Sequence, residues 1–410
     1  MALTVLLTAL TAREMGGGRS AQTIAAVAAA TVPEWLGGAH LLSTTPFDVL
    51  AWAALIYLLT RIINREERRL WLVAGLVAGI GLENKWNLAF LVASVAAGLF
   101  ANGQWRLVAN RWALGGAAVA ILIWQADNGW PSLEMLGNLR DENLEDDVQA
   151  TFIPAQILYV GPFLLPVWIA GMVRLLRNPA ARPYRSFAIA YVILFAWFLF
   201  SAGKPYYLSG LYVALLAAGA IAVEGWLARG GRRPLRSTRA VVTAIVIAAI
   251  PGMLIGLPLL SERATADAGL VDVNYDLGEQ IGWPGLVDQV AAAWEENDLD
   301  AGNGDVILTG NYGEAGAIDR YGPERGLPRA HSGHNSYSDW GPPPIARSPS
   351  VLAVGFSSEY LSRFFTDCEL QSRVDNGLGL ENDEQGAPIS VCTGQREDWA
   401  EAWPDLRHYG

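Results

Sequence analysis

Charged residues are scarce in this 410-residue chain: they make up 17% of it, whereas hydrophobic residues make up 52%. Such a composition argues against a wholly soluble protein. Histidine and cysteine are also rare, with four and two residues. None of them shows metal-ligand spacing. The sequence therefore predicts no metal site among these residues and no particular cofactor. A requirement for a divalent metal ion is left open.

The few charges are divided unevenly along the chain. Residues 1–259 hold 14 acidic and 20 basic residues, a net charge of +6, whereas residues 260–410 hold 26 acidic and nine basic residues, a net charge of −17. We therefore predict two domains, 1–260 and 261–410. The acidic second half argues against a nucleic-acid partner, because phosphates demand a basic surface.

Apolar stretches dominate the first domain. A helix that crosses the bilayer core needs about 20 residues, and several stretches are long enough alone, so the sequence predicts an α-helical multi-pass membrane domain. Ten stretches precede residue 260: 1–12, 20–42, 46–63, 70–82, 86–101, 112–126, 153–176, 186–202, 206–227 and 239–260. The first is short, and we expect it to be the end of a helix that starts before Met1.

Arginine predicts the orientation, because cytoplasmic loops of membrane proteins hold an excess of Lys and Arg. Every second connection between the apolar stretches is rich in arginine, and the opposite connections hold only Lys85, Arg140 and Lys204. This pattern predicts a multi-pass protein of the cell membrane with an extracytoplasmic C-terminal domain. The arginines of the first set are Arg13, Arg19, Arg61, Arg65, Arg68, Arg69, Arg106, Arg111, Arg174, Arg177, Arg182, Arg185, Arg229, Arg232, Arg233, Arg236 and Arg239.

The only two lysines among 29 basic residues both fall on the outer side. Lys85 follows Glu83 in the turn "GIGLENKWNLAF", and Lys204 precedes Tyr206 and Tyr207 in "SAGKPYYLSGLY". One interpretation is that both side chains snorkel to lipid headgroups. The other is that they converge on an anionic ligand, since an ammonium suits a phosphate.

Two further outer connections carry polar residues. Residues 127–151 predict an amphipathic helix on the membrane surface. Its Asp141 and Glu142 could serve acid–base chemistry, but an acidic solvated face explains them equally well. His40 and Asp48 flank a third outer turn, where they could bind a metal or a sugar, although no ligand spacing supports a metal.

The second domain predicts a small α/β fold. Short β-rich runs alternate with amphipathic ones, which indicates a sheet of three to four strands. "TGNYGEAGAIDRYG" reads as a strand followed by a helix, without the glycine spacing of a nucleotide site. A polar, aromatic loop suits carbohydrate contact, but simple packing is the alternative. The loop residues are His331, His334, Asn335, Tyr337, Asp339 and Trp340.

Cys368 and Cys392 both lie in the domain that the arginine pattern places outside the cytoplasm. An oxidising compartment permits a disulfide between them. Closing that loop would remove on the order of 3 kcal/mol of chain entropy from the unfolded state. We therefore predict this bridge.

Taken in order, several segments resemble the family 39 glycosyltransferases. This membrane superfamily includes polyprenyl-phosphate-mannose protein mannosyltransferases and the aminoarabinose transferases of lipid A. In the first domain the segments are "LTVLLTALTAREMGGGRSAQ", "LVAGLVAGIGLENKWN", "NGWPSLEMLGN" and "SAGKPYYLSGLYVALLAAGA". In the second, "GEAGAIDRYG" and "SGHNSYSDWGPP" resemble the outer domain of poorly characterised members.

The resemblance implies a GT-C fold and a defined reaction. A sugar passes, with inversion, from a polyprenyl-phosphate carrier to a hydroxyl or amine of a lipid, glycan or protein acceptor. It implies phosphate contacts at Lys85 and Lys204, a substrate contact at Glu83, and packing of Tyr206 and Tyr207 against the prenyl chain or the sugar. Membrane lipids are the other expected partners.

One departure concerns the catalytic base. In the family, an acidic pair lies in the loop after the first membrane helix, and this sequence begins in what resembles the second. We therefore expect that the chain is truncated at its N-terminus and lacks the catalytic base. Either the recorded start is too late in the gene, or the protein is a natural remnant. The catalytic residue is therefore unknown. Asp141 and Glu142 occupy a different loop and do not replace it.

Two alternatives to a glycosyltransferase are a transporter or flippase and a non-catalytic membrane scaffold. Transporters place ionisable residues near the bilayer midplane. Here the charges gather at the outer turns, which favours an enzyme that acts at the membrane surface.

Overall fold

The computed structural model describes residues 1–65, 67–109, 148–229 and 234–409. The chain divides into two compact units, a helical unit of Met1–Leu257 and a sheet unit of Pro258–Gly410. The first unit ends three residues before the predicted domain boundary at residue 260. The predicted apolar stretch 112–126, the predicted surface helix up to residue 147, and Asp141 and Glu142 lie outside the described residues.

The described part of the helical unit contains eleven α-helices. They are α1 Ala2–Glu14, α2 Arg19–Ala30, α3 Pro33–His40, α4 Thr45–Arg65, α5 Leu70–Asn84, α6 Asn87–Ala101, α7 Val148–Val160, α8 Leu165–Arg177, α9 Arg185–Phe200, α10 Tyr212–Arg229 and α11 Pro234–Gly256.

Four helical segments among the described residues are long and apolar enough to cross a membrane. They are Thr45–Arg65, Pro179–Phe200, Pro205–Arg229 and Ser237–Gly256. The pair Gln149–Val160 and Pro162–Arg177, bent by 72°, makes a fifth if it counts as one broken span. The prediction of a multi-pass helical domain is thereby confirmed.

Two predicted apolar stretches are broken by local backbone chemistry. The stretch 20–42 divides between α2 and α3, where Pro33 is the first residue of α3 and its ring disfavours a helical Val32. The stretch 153–176 divides at Gly161, whose φ of 89° suits glycine and which is followed by Pro162. Apolar runs alone therefore overstate the length of both helices.

Small residues let helices α8 and α10 pack with their backbones in contact. A Cβ atom at Gly171 would lie 1.9 Å from the Leu215 carbonyl oxygen, and one at Gly219 would lie 1.9 Å from the Val167 oxygen. Close approach through such residues is a common way to hold membrane helices together. This close packing fixes the position of α10 and therefore also the position of the turn that precedes α10.

The sheet unit is built on five strands: β1 Val306–Thr309, β2 Ala330–Ser332, β3 Ser350–Val354, β4 Phe365–Arg373 and β5 Pro388–Gln395. Their order is β2-β1-β3-β5-β4; β1 is parallel to β2 and β3, whereas β5 is antiparallel to β3 and β4. The five helices of the unit are α12 Glu262–Asp267, α13 Trp283–Glu296, α14 Tyr312–Tyr321, α15 Ser358–Leu361 and α16 Trp399–Leu406.

The α/β prediction for this unit is confirmed, but the count of three to four strands was wrong. The segment "SSEYLSRFFTDC" contains the short α15 and the start of β4. β4 is mostly exposed, so it lacks the apolar signal of a buried strand. Cys368 and Cys392 are register partners on β4 and β5 and form a disulfide.

Both faces of the sheet are buried against helices. Ile307 of β1 packs in a cluster with Val287 of α13 and Ile318 of α14. Leu308, the next residue, belongs to a second cluster with Trp399 and Leu406 of α16. Because alternate residues of a strand point to opposite faces, successive residues are apolar in both strands, from Val306 to Leu308 in β1 and from Val351 to Val354 in β3.

Candidate functional site

Lys85 occupies the turn between α5 and α6 and lies against two tyrosine rings. Its Nζ atom is 4.6 Å from the ring centroid of Tyr206 and 5.3 Å from that of Tyr207. The same atom lies 3.5 Å from the Tyr206 hydroxyl. A cation over an aromatic face is attracted to the ring by roughly 0.5–2 kcal/mol. The structure thus brings together residues that are 121 positions apart.

Asp48, in the first turn of α4, is buried beneath this turn. Its Oδ1 atom accepts a hydrogen bond from Trp52 Nε1 at 3.0 Å, and its Oδ2 atom accepts one from Asn87 Nδ2 at 3.1 Å. Asn87 also donates to the Tyr207 carbonyl oxygen at 3.2 Å. Asn87 therefore ties the start of α6 both to α4 and to the tyrosine pair.

A second buried amide holds the tyrosine segment from the other side. Gln156 of α7 donates to the Pro205 carbonyl oxygen. Its Oε1 atom accepts hydrogen bonds from the hydroxyls of Tyr212 at 2.8 Å and Tyr191 at 3.2 Å. The 3-10 segment Pro205–Leu211 is thus fixed at its first residue.

The charges around Lys85 come from three elements. Burial lowers the pKa of the Lys85 ammonium, whereas the negative charges of Asp48 and Glu34 act in the opposite direction. The positive charge of Lys204, just before the 3-10 segment, lowers the pKa further. The two positive charges therefore oppose each other, and a bound anion would offset that effect.

The site residues that were predicted from the sequence differ in their contacts and in their exposure to solvent. Lys85, Tyr206 and Tyr207 are in contact, and Lys204 is near them. Glu83, in the last turn of α5, is exposed. His40 is exposed at the end of α3, whereas Asp48 is buried, so the sequence neighbours flanking that outer turn face different surroundings.

The opposite end of the helical unit holds arginine. Arg65, at the end of α4, forms an ion pair of 2.8 Å with Glu14, at the end of α1. Asn64 donates to the Glu14 carbonyl oxygen at 2.6 Å and accepts a hydrogen bond of 2.5 Å from the Tyr184 hydroxyl. Because α4 runs from Asp48 to Arg65, the lysine cluster and this arginine cluster lie at its two ends.

Three residues near Lys85 were not singled out from the sequence: Glu34, Asn87 and Gln156. Each is a polar residue within or beside an apolar helix, and such residues are costly in a membrane unless they pair or act. Glu34 is the only acidic residue of the stretch 20–42. That isolation is the signal that could have identified it.

The polar, aromatic loop of the sheet unit is packed. The Tyr337 hydroxyl donates to Asp319 at 2.8 Å, and Asp339 pairs with Arg407 at 2.7 Å. The rings of Tyr337 and Trp340 are 4.5 Å apart, and the imidazoles of His334 and His408 stack at 4.7 Å. These contacts favour packing as the role of most of the loop.

Among the described residues, no group of three or more His, Cys, Asp or Glu side chains is arranged to hold a metal ion.

Comparison with known protein families gives a match in the helical unit. The sequence model of the family described as dolichyl-phosphate-mannose-protein mannosyltransferase matches residues 1–130, which include Glu34, Asp48, Lys85 and Asn87. No significant match is found among curated proteins or among solved structures. Together with the candidate membrane helices, the family match indicates a membrane glycosyltransferase that uses a lipid-linked sugar.

Proposed function

We propose that this protein transfers a sugar from a polyprenyl-phosphate carrier to an extracytoplasmic acceptor, with inversion at the anomeric carbon. The observation that supports this proposal most directly is the placement of Lys85 against Tyr206, with Lys204 nearby. The acceptor would be a hydroxyl or amine of a lipid, glycan or protein. The cell membrane is the proposed location, with the sheet unit outside the cytoplasm.

The two lysines would bind the carrier phosphate. In the transfer, the acceptor oxygen or nitrogen attacks the anomeric carbon from the face opposite the phosphate and releases its proton to solvent. The bond from that carbon to the phosphate oxygen breaks, and the phosphate keeps the electron pair. Negative charge therefore grows on the phosphate as the bond lengthens, and a fixed ammonium in a partly dry site stabilises it.

Tyr206 and Tyr207 would serve two purposes. Their rings hold the Lys85 ammonium in place before the carrier binds, which reduces the ordering that binding requires. Both residues are half-buried, and the accessible part of each ring would offer an apolar surface for the first part of the prenyl chain. Tyr207 packs at 5.4 Å against Phe198, which in turn packs at 5.2 Å against Phe90, so the rings continue along α6 and α9.

The position of the charges also bears on the transporter alternative. Asp48 lies in the first turn of its helix, and Lys85 and Lys204 lie in connections between helices. Transport sites are expected near the bilayer midplane. The arrangement thus favours chemistry at the membrane surface.

The test is transfer of labelled sugar from polyprenyl-phosphate donors in membranes that contain the protein. We expect Lys85→Ala to weaken carrier binding by about 100-fold, because removal of a phosphate-bound ammonium forfeits a charge-assisted hydrogen bond. Arg65→Ala is the matched control, since it removes a cation from the other end of α4. Equal binding by the Lys85→Ala variant and the unaltered protein would refute the phosphate assignment.

A further inference from the structure

A cleft of about 790 Å³ opens at one edge of the central sheet in the sheet unit. Its lining includes Gly310 and Asn311, which follow β1, and Gly355 and Ser357, which follow β3. This volume falls within the range of about 300–1,000 Å³ that is typical of small-molecule sites. The proposed transfer reaction does not use this cleft.

The sheet topology explains why a cleft forms there. β1 lies between β2 and β3, and all three are parallel. The chain leaves β1 through α14 towards β2, on one side, and leaves β3 towards β4 and β5, on the other. The two connections diverge and leave a crevice at the carboxyl ends of the strands, which is where open α/β sheets bind ligands.

Glycine and a buried carboxyl form the base of the cleft. Asn311 caps α14: its Oδ1 atom accepts from the Glu314 backbone N–H at 2.8 Å, and the Asn311 backbone N–H donates to Glu314 Oε2 at 3.0 Å. Gly355 has a φ of 81°, and a Cβ atom there would lie 2.3 Å from Glu314 Oε1. Only glycine leaves room for that carboxyl beneath the crevice.

The side chains that line the cleft are rich in hydrogen-bond acceptors. Asp383 and Asp405 are exposed carboxylates, and Glu314 lies at the base. His408 Nδ1 is 3.0 Å from the Leu406 carbonyl oxygen. In a neutral ring this contact places the proton on Nδ1 and makes Nε2 an acceptor. Such a lining suits a ligand that donates many hydrogen bonds.

Aromatic rings supply the rest of the surface. Phe356 and Tyr360 stack with centroids 5.5 Å apart and planes 2° from parallel. Tyr360 is held by a hydrogen bond of 3.3 Å from its hydroxyl to the Asp405 carbonyl oxygen. A rigid ring beside carboxylates offers both an apolar face and polar partners. Sugars need this combination, since they present C–H faces and a rim of hydroxyls.

The charges of the residues that line the cleft argue against anionic ligands and against strongly cationic ones. None of the described residues that line the cleft is Lys or Arg, so an anion would find no counter-charge. Burial raises the pKa of Glu314 to about 7, which reduces its negative charge at neutral pH. Glu384, within reach of Asn311 at 3.5 Å, also has its pKa raised to about 7, chiefly by burial. A partly neutral base suits an uncharged ligand better than a strongly cationic one.

We propose that the cleft at the carboxyl ends of β1 and β3 is a binding site for a neutral glycan. The acceptor side chains bind its hydroxyls, and the Phe356–Tyr360 stack contacts a ring face. The lining of the cleft shares no residue with the Lys85 cluster, so glycan binding does not require transfer activity.

The test uses the full-length protein in lipid nanodiscs, because glucoside and maltoside detergents would present sugar headgroups to the site. The protein is applied to an array that carries neutral oligosaccharides, uronic-acid oligosaccharides and tetralysine peptides. We expect binding to neutral glycans, with little change between low and physiological salt because the ligand carries no charge. Asp405→Asn and Glu314→Gln should each weaken that binding by about tenfold.

Glu401→Gln is the matched control, because Glu401 is exposed on the same helix as Asp405 and does not line the cleft. It should bind as the unaltered protein does, and so should Lys85→Ala. Retention of the disulfide and of hydrogen-exchange protection in β1 and β3 would show that each variant is folded. Binding to no neutral glycan, binding to tetralysine or acidic glycans only, or unchanged binding by both cleft variants would overturn the proposal.

Discussion

The two ends of the helical unit hold their basic residues in different ways. At the end of α4, Arg65 pairs with Glu14 at 2.8 Å, and neighbouring Arg61 pairs with Glu67 at 3.4 Å. Lys85 contacts phenol rings, and the ion pairs within 4.0 Å among the described residues do not include it. A cation that is ion-paired with a carboxylate within 4.0 Å is less available to an anionic ligand than one that is held mainly by aromatic rings.

The two ends also differ in their carboxylates. Asp48 is buried, with hydrogen bonds to Trp52 and Asn87, whereas the side chain of Glu14 retains 13% exposure and pairs with a half-exposed arginine. Exposed pairs contribute little to stability, about 0–1 kcal/mol. The arginine end is therefore held together by many small interactions. The lysine end depends on a few buried hydrogen bonds, which Asp48, Asn87 and Gln156 make.

The largest expected effect concerns which end of the helical unit faces the outside of the cell. Glu83 and Arg68 are both exposed and lie at opposite ends of α5. In intact cells, a membrane-impermeant maleimide should label Glu83→Cys fully and Arg68→Cys only after lysis, since Cys368 and Cys392 are bonded to each other and do not react. Labelling with the opposite pattern would invert the orientation and remove the carrier site from the outer surface.

The next effect compares the two carboxylates. Asp48→Leu should lower the free energy of unfolding by about 2 kcal/mol, because Trp52 Nε1 and Asn87 Nδ2 lose buried acceptors. Glu14→Leu should cost less than about 1 kcal/mol, since its ion pair is partly exposed and its backbone carbonyl still accepts from Asn64. Denaturant unfolding in micelles measures both, and equal losses would contradict the contrast between the ends.

A smaller effect tests how the tyrosine ring holds Lys85. Tyr206→Leu removes the ring face and should weaken polyprenyl-phosphate binding by about tenfold. Tyr206→Phe keeps the face and removes only the 3.5 Å hydroxyl contact, so about a twofold change is expected. Competition against a photoreactive carrier gives both values. If the Phe variant were as weak as the Leu variant, the hydroxyl rather than the ring would be the essential contact.

The smallest expected effect comes from a comparison of two carboxyl groups in the sheet unit, those of Glu314 and Glu384. Glu314 accepts the Asn311 N–H, whereas Glu384 Oε2 is buried without a hydrogen bond among the described residues. Burial and the charges of Glu279, Glu314 and Asp383 raise the pKa of Glu384 to about 7. The stability linked to its proton is thus fully present below pH 4.5 and is lost as the pH rises through about 7.

Glu384→Gln removes this ionisation. We expect the variant to be more stable than the unaltered protein by about 1 kcal/mol at pH 8, and equally stable at pH 5. Hydrogen exchange of β1 and β3, compared between the two proteins at each pH, measures the difference. A stabilisation of the same size at both pH values would show that packing, rather than charge, is responsible.

Sequence patterns anticipated the architecture better than the site. Hydrophobic length and the change in charge near residue 260 predicted a helical unit followed by an α/β unit. They failed where backbone chemistry intervened, at Pro33 and Gly161, and where a strand was exposed, as in β4. The family resemblance implied separate substrate contacts for Lys85 and Tyr206, and only the folded chain brings the two side chains together.

The sequence by itself predicted that Lys85 and Lys204 lie at one end of the helical unit and most of its arginines at the other, because a helix of spanning length carries the chain from one end to the other. Tertiary structure alone decided that Asn87 joins Asp48 to Tyr207, that Gln156 fixes the segment at Pro205, and that loops after β1 and β3 enclose a cleft. These contacts join residues 39 to 120 positions apart. Local periodicity encodes which face of an element is apolar, but it does not encode which distant side chain that element meets.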